Sequence, residues 1–216
     1  MSDTLAWSSL GLLGAWHGLN PAMGWLFAVA LGMQERSGRA VVAALPPIAL
    51  GHAASIAATV ALLALGLAAL PQVVLERGVA AMLVGFGLWK LARRRHPRWV
   101  GMRVGFRDLT LWSFLMATAH GAGLMLLPVF LVRFGVADGA HAGHHAAPGG
   151  AGVSLGSWEA WAAAVGVHTL AMLAVSAVIA LVVYYKVGLA VLRSAWLDLD
   201  RIWALALIVA GVAAAW

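Results

Sequence analysis

Six long apolar runs constrain the fold of this chain more than any other feature of its sequence. They cover approximately residues 7–32, 41–69, 76–92, 109–132, 158–184 and 200–216. The first two runs contain Asn20-Pro21 and Pro46-Pro47, where kinks or locally unwound turns are expected. A helix of about 20 apolar residues is long enough to cross the hydrocarbon core of a bilayer. Only 10% of the 216 residues are charged and 63% are hydrophobic, whereas about a quarter of an ordinary soluble domain is charged. The sequence therefore predicts an all-α membrane protein with six transmembrane helices.

The basic residues lie mostly on one side of this predicted bundle. Of the 14 Lys and Arg residues, only Arg77 and Arg133 fall on the other side. Cytoplasmic loops of membrane proteins carry an excess of Lys and Arg, so we expect both termini outside and the Arg-rich loop 93–108 in the cytoplasm. The net charge of +6 is then an orientation signal that also contacts anionic lipids, and no nucleic-acid partner is expected. The predicted location is the plasma (inner) membrane of a cell, crossed several times.

The residue types that are missing exclude several functions. The sequence contains no cysteine, which excludes disulfides, thiolate metal sites and dithiol redox chemistry. It contains no phosphate-binding loop ending in Gly-Lys-Ser or Gly-Lys-Thr, so direct use of ATP is not expected. No catalytic residues are predicted. Residues 1–5 carry Asp3 and no basic residue, so we expect the first apolar run to be a retained helix rather than a cleaved signal.

The two halves of the chain share short motifs in the same order. The repeated pairs are His17-Gly18 with His120-Gly121, His52 with His168, and Glu76-Arg77 with Asp200-Arg201. The sequence thus predicts a first three-helix repeat over 1–92 and a second over 109–216, which includes the loop 134–157. Because each repeat has an odd number of helices, the second copy has the opposite orientation in the membrane. The charge distribution independently requires this inversion. Inverted repeats place a shared site near the bilayer midplane, where it can be reached alternately from each side.

Four histidines lie well inside the apolar runs: His17, His52, His120 and His168. A buried imidazole costs free energy unless its nitrogens are paired, so each histidine needs either a hydrogen-bond partner or a ligand. All eight Asp and Glu residues fall at predicted helix ends or in loops, which argues against a carboxylate relay at the midplane. Several imidazoles from facing helices suit copper, zinc, nickel, cobalt or iron. The four histidines are therefore predicted to bind a transition metal.

Other polar side chains near these histidines are candidates for supporting roles. Hydroxyl and amide groups that could orient the imidazoles belong to Asn20, Ser55, Thr59, Thr118 and Thr169. The thioethers within a turn or two of the histidines would favour copper(I), and they belong to Met23, Met116, Met125 and Met172.

A second group of histidines occupies the predicted outer loop 134–157. His141, His144 and His145 stand there among Gly and Ala residues, with Asp138 nearby. A flexible histidine-rich tract of this kind can collect a transition metal loosely. It is interpreted either as an outer collecting loop or as a polar linker between the fourth and fifth helices.

These features together resemble a known transporter family. Six helices in a 3+3 inverted repeat, His17 and His120 on the first helix of each half, the Gly51-His52 pair and the histidine-rich loop are similar to the nickel/cobalt efflux (NicO-like) branch of the LysE-type transporter superfamily. The resemblance is architectural and spans most of the chain. It implies a transporter that moves a transition-metal ion through a site between the two halves.

Two other functions fit the same histidines. Histidine pairs on facing helices ligate haem axially, so a haem b protein is one alternative. The other is a small-solute exporter or an accessory membrane subunit, in which the histidines form hydrogen bonds between helices. Small residues spaced by four, such as Gly14 and Gly18, favour close helix contacts within one chain, in a homo-oligomer or with another subunit of a membrane complex.

Overall fold

The computed structural model describes residues 3–92, 105–134, 158–187 and 199–214. Within these ranges the secondary structure is helical, without strands. The α-helices are α1 (Asp3–Leu19), α2 (Trp25–Gln34), α3 (Gly38–Ala69), α4 (Gln72–Ala92), α5 (Phe106–Ala119), α6 (Ala122–Phe134), α7 (Trp158–Val182) and α8 (Leu199–Ala214). A 3-10 turn (Pro21–Met23) separates α1 from α2, and a π-helical turn (Val183–Val187) continues α7.

The apolar helices are those of a membrane protein. Two stretches, Gly38–Gly66 and Trp158–Val187, are long and apolar enough to cross a bilayer. The pair Phe106–Ala119 and Ala122–Phe130, bent by 59°, makes a third if it is counted as one span. The apolar helices Trp25–Gln34 and Ala204–Ala213 are shorter. Helices thus occupy all six predicted runs, while the number of spans by this criterion is two or three within the described residues.

The first predicted run is interrupted near its middle. The side-chain Oδ1 of Asn20 accepts a hydrogen bond from the Ala22 backbone N–H at 3.0 Å, and Pro21 opens the 3-10 turn. Gly24 then adopts a φ of +118°, a conformation that glycine tolerates far better than other residues. The unwound turn predicted at Asn20-Pro21 is therefore confirmed. No unwound turn forms at Pro46-Pro47, where α3 continues through both prolines while packed against α2 and α5.

The fourth predicted run is also two helices rather than one. Its first helix, α5, ends at Ala119, and Gly121 has a φ of +69°. The Gly121 N–H donates to the Thr118 carbonyl at 3.0 Å, and the Gly121 carbonyl then accepts from Met125 in α6. The prediction that this His-Gly pair lies within a continuous helix is wrong. A glycine in the left-handed conformation is a frequent helix terminator, and it ends α5 here.

Close glycine contacts join the first part of the chain, residues 3–92, to the rest. The three main helix pairs are α1 with α7, α3 with α5, and α4 with α8. A Cβ atom added to Gly18 would stand 2.8 Å from the Cβ of Val175, and one added to Gly51 would stand 2.8 Å from the Cβ of Ser113. In the third pair, a Cβ at Gly87 would stand 2.8 Å from the Ala204 carbonyl oxygen. Backbones approach this closely only where one helix carries no side chain.

Candidate functional site

Three buried histidines lie in a layer between two apolar clusters. The first cluster includes Leu10, Ile56 and Ala164, and the second includes Trp25, Ile48 and Ala180. In each of three segments, a histidine lies along the chain between a residue of one cluster and a residue of the other. The orders are Leu10, His17, Trp25 in α1–α2; Ile48, His52, Ile56 in α3; and Ala164, His168, Ala180 in α7.

The rings of these three histidines touch one another. The ring centroids are 5.4 Å apart for His17 and His52, 4.8 Å for His17 and His168, and 5.5 Å for His52 and His168. The first two pairs meet edge to face, and the third is stacked with an interplanar angle of 6°. All three residues have 0% exposure to solvent. The structure thus brings three of the four predicted histidines together in the core. We call these three residues the histidine cluster.

Backbone hydrogen bonds fix one ring nitrogen in two members of the cluster. The His17 Nδ1 donates to the Leu13 carbonyl at 2.8 Å, and the His168 Nδ1 donates to the Leu10 carbonyl at 3.1 Å. Because a carbonyl oxygen only accepts, Nδ1 carries the hydrogen in both rings. In a neutral imidazole, the lone pair available to a metal or a donor is then on Nε2. A backbone carbonyl is one of the usual partners of the distal N–H in metal-binding histidines.

Several polar atoms at the cluster make no hydrogen bond to any described residue. They are both ring nitrogens of His52, the Nε2 of His168 and the Oγ1 of the adjacent Thr169. Buried polar groups in native proteins almost always have a partner, so a concentration of exceptions calls for an explanation. A ligand that accepts lone pairs and enters the cluster would satisfy the imidazole nitrogens.

His120 lies at the helix break beside this cluster. It immediately follows α5, is 3% exposed, and its Nδ1 donates to the Met116 carbonyl at 2.8 Å. The helices on either side of this break, α5 and α6, contact the 3-10 turn and α1, respectively. His120 and His17 therefore use the same hydrogen bond, to the carbonyl four residues earlier, and both leave Nε2 as the lone-pair nitrogen.

Most of the residues predicted to orient the imidazoles form hydrogen bonds with other groups. Asn20 caps the 3-10 turn through its Oδ1. The hydroxyls of Ser55 and Thr118 form a hydrogen bond of 2.8 Å with each other, which joins α3 to α5, and Thr59 donates to the Ser55 carbonyl at 3.0 Å. Thr169 lies next to His168 in the sequence but makes no hydrogen bond among the described residues. Backbone carbonyls, rather than the predicted side chains, orient the imidazoles of His17, His120 and His168.

Two buried serines that the sequence did not single out hold the helices around the cluster. Ser113 in α5 donates to the Ile48 carbonyl in α3 at 2.6 Å, and Ser176 in α7 is 3.2 Å from the Gly18 carbonyl in α1. Ser176 lies two helical turns beyond His168 on the same helix face. This spacing is a signal by which Ser176 could have been found from the sequence. His141, His144 and His145, together with Arg93, Arg94 and Arg95, lie outside the described residues.

The fold and the histidine cluster define a helical membrane protein with a polar layer inside its apolar core. Comparison with protein-family models, curated protein sequences and solved structures finds no match. Within the ranges that the structure describes, no group of three or more His, Cys, Asp or Glu side chains is arranged so that it could hold a metal ion.

Proposed function

We propose that this protein is a plasma (inner) membrane transporter, and that a transition-metal ion binds to the histidine cluster during transport. The observation that supports this most is the mutual approach of His17, His52 and His168 in the core, where both ring nitrogens of His52 and the Nε2 of His168 make no hydrogen bond to a described residue. His120 is the fourth proposed ligand. The NicO-like resemblance belongs to this proposal and supports the same class of substrate.

The separation of the rings fits a metal centre. Zinc and related ions bind imidazole nitrogen at about 2.0–2.1 Å, which places the centroids of two tetrahedral imidazole ligands about 5 Å apart. The observed centroid separations are 4.8 to 5.5 Å. The helices therefore already hold the three imidazoles at the right spacing, and binding requires side-chain rotation rather than helix movement.

His52 is the residue that has to rotate. Its ring is nearly parallel to that of His168, and two face-to-face rings do not direct their in-plane lone pairs at one ion. Neither nitrogen of His52 is held by a hydrogen bond to a described residue, so rotation of this ring breaks none. His17 and His168 are fixed through Nδ1 and would form the rigid part of the site.

We further propose that the chain crosses the membrane six times as a 3+3 inverted repeat. In support, both halves start with an interrupted helix, α1–α2 and α5–α6, that carries a His-Gly pair. His17 bonds to Leu13 as His120 bonds to Met116. The first helix of each half packs on a helix of the other half: α1 packs on α7, and α5 packs on α3. Such an arrangement offers the cluster to both sides of the membrane in turn.

Metal binding tests this function directly. Protein purified in detergent without added metal is subjected to elemental analysis and then titrated with Zn(II), Ni(II), Co(II) and Cu(I). We expect one tightly bound ion per chain, and we expect His52→Leu and His168→Leu each to weaken binding at least about tenfold, because each removes a ligand. His96→Leu is the matched control, because His96 lies in the predicted basic loop, and it should bind as the parent does.

Measurements of metal flux and of the visible absorption spectrum complete the test. Proteoliposomes loaded with a metal-sensitive dye should show flux that His52→Leu abolishes and His96→Leu preserves. A double His52→Leu, His168→Leu variant that binds metal like the parent would overturn the proposal. A Soret band in the purified protein would point to haem b instead, and a stable protein that binds neither metal nor haem would favour the exporter of small solutes or the accessory subunit.

A further inference from the structure

The buried methionines divide into two groups according to their surroundings. Met125 belongs to the first apolar cluster, together with Leu126 and Phe130. Met172, Met116 and Met23 are also buried but belong to neither apolar cluster. A methionine that only fills space is expected among apolar side chains. The second group instead accompanies the polar residues between the clusters.

Met172 has the closest structural link to the histidine cluster. His168, Met172 and Ser176 follow one another at intervals of four on α7, and each is 0% exposed. Residues spaced by four on a helix have Cβ atoms about 6 Å apart on the same face. Glycine contacts hold this face against α1, where a Cβ at Gly14 would stand 3.1 Å from the Cβ of Ala171. The thioether therefore lies one helical turn from a proposed ligand, on the face that contacts α1.

The hydroxyl of Ser176 lies beside the sulfur of Met172. It is 3.5 Å from the Met172 Sδ and 3.2 Å from the Gly18 carbonyl oxygen, in the last turn of α1, the helix that carries His17. A serine hydroxyl has a single hydrogen, and the carbonyl oxygen is the closer and stronger acceptor, so the hydrogen is donated to Gly18. The thioether sulfur therefore keeps its lone pairs for a metal.

We propose that Met172 is a thioether ligand that makes the histidine cluster selective for copper(I), a soft monovalent cation. This inference rests on the proposed metal-binding function and narrows its substrate. Thioethers bind Cu(I) well and contribute little to binding harder divalent ions, for which imidazole suffices. The cluster is also free of carboxylates, since the described Asp and Glu side chains have no buried member. A neutral set of imidazole and thioether ligands suits an ion of single charge in an apolar core.

Leucine substitutions separate the role of Met172 from packing. Met172→Leu keeps the volume and removes the sulfur, and such exchanges cost little stability. Met125→Leu is the matched control, because that methionine is also buried but lies in the first apolar cluster. Affinities for Cu(I) under reducing conditions and for Zn(II) are measured by competition with chelators of known affinity. We expect Met172→Leu to lower Cu(I) affinity at least about tenfold and to change Zn(II) affinity less than twofold, as loss of a soft ligand predicts.

X-ray absorption at the copper edge gives an independent readout. Because the chain has no cysteine, a sulfur scatterer bound to copper in this protein comes from methionine. The sulfur signal should be present in the parent and in Met125→Leu, and it should be lost in Met172→Leu. A parent protein whose copper shows nitrogen scatterers alone would overturn the proposal.

The outcomes distinguish this inference from the proposed function. If His52→Leu abolishes binding of Cu(I) and Zn(II) while Met172→Leu alters neither affinity, the thioether ligand is wrong and the histidine site stands. If the parent binds Zn(II) at the histidines but not Cu(I), the copper selectivity is wrong. If the parent binds none of the tested ions, both proposals are wrong.

Discussion

His17 and His168 lie edge to face in the protein core, with ring centroids 4.8 Å apart and ring planes inclined by 75°. The two residues are 151 positions apart in the sequence, and their helices, α1 and α7, approach through Gly14 and Gly18. The distance between the two imidazoles therefore depends on residues that carry no side chain. This dependence makes the glycines a sensitive test of the site.

Substitution of Gly18 by alanine should separate these helices. The added Cβ would stand 2.8 Å from the Cβ of Val175 and 3.2 Å from the Ser176 backbone nitrogen, so α1 has to shift away from α7. Overpacking of this kind costs about 1–3 kcal/mol of unfolding free energy. Thermal unfolding in detergent should show the loss, together with weaker metal binding. Gly11→Ala is the control on the same helix, because a Cβ there meets no atom within 4 Å, and it should be neutral or stabilising.

His52→Leu should make the metal-free protein more stable. The substitution removes two buried nitrogens that make no hydrogen bond to a described residue and replaces them with an apolar side chain of similar size. Relief of unsatisfied polar groups is worth about 1–3 kcal/mol. Chemical or thermal unfolding of the metal-free variant and parent measures the difference. A clear loss of stability would mean that His52 has a structural partner, which would argue against its role as a mobile ligand.

Ser113→Ala should destabilise the contact between α5 and α3. It removes the 2.6 Å hydrogen bond from Ser113 to the Ile48 carbonyl, at a site where Ser113 is 4% exposed. A buried hydrogen bond of this kind contributes about 1 kcal/mol to the free energy of unfolding. The exposed Ser8 provides the control, since Ser8→Ala should change the unfolding temperature little. Equal effects of the two substitutions would contradict the assigned role of Ser113.

The proposed orientation in the membrane can be measured without background, because the chain has no native cysteine. A single cysteine at Gly101, in the basic loop, should react with a membrane-impermeant thiol reagent only after the cells are opened. A cysteine at Ala151, in the histidine-rich loop, should react in intact cells. Labelling of both positions in intact cells, or of neither, would contradict six spans with the termini outside.

The helical class and three of the central histidines were predictable because they depend on local composition. Apolar runs of membrane-spanning length predict helices, and a histidine inside such a run is expected to face other polar groups in the bundle. The break after Asn20 was also predictable, since Asn20 and Pro21 are strong turn residues. These features depend on a few neighbouring residues along the chain.

The features that sequence reasoning missed depend on contacts between distant segments. Gly121 ends α5 although many glycines stand inside helices of this chain, such as Gly51 in α3, so residue type alone does not separate the two cases. The sequence predicted that side-chain hydroxyl and amide groups orient the imidazoles, whereas the backbone carbonyls of Leu10 and Leu13 do so. Every residue type has a backbone carbonyl, so the residue type gives no signal of this role. Ser176 acquires its role only because α7 lies against Gly18.

The packing of α4 against α8 has a consequence for the synthesis of this protein. Gly87 in α4 faces Ala204 and Ile208, and Gly211 in α8 faces Ala80 and Val84. More than a hundred residues separate the two helices along the chain, so a nascent chain that has only just produced α4 still exposes the face of this helix that carries Gly87. This face is covered only when the last helix is made. Truncation before α8 should therefore leave an early product that quality-control proteases recognise, even though it would already contain every residue of the histidine cluster.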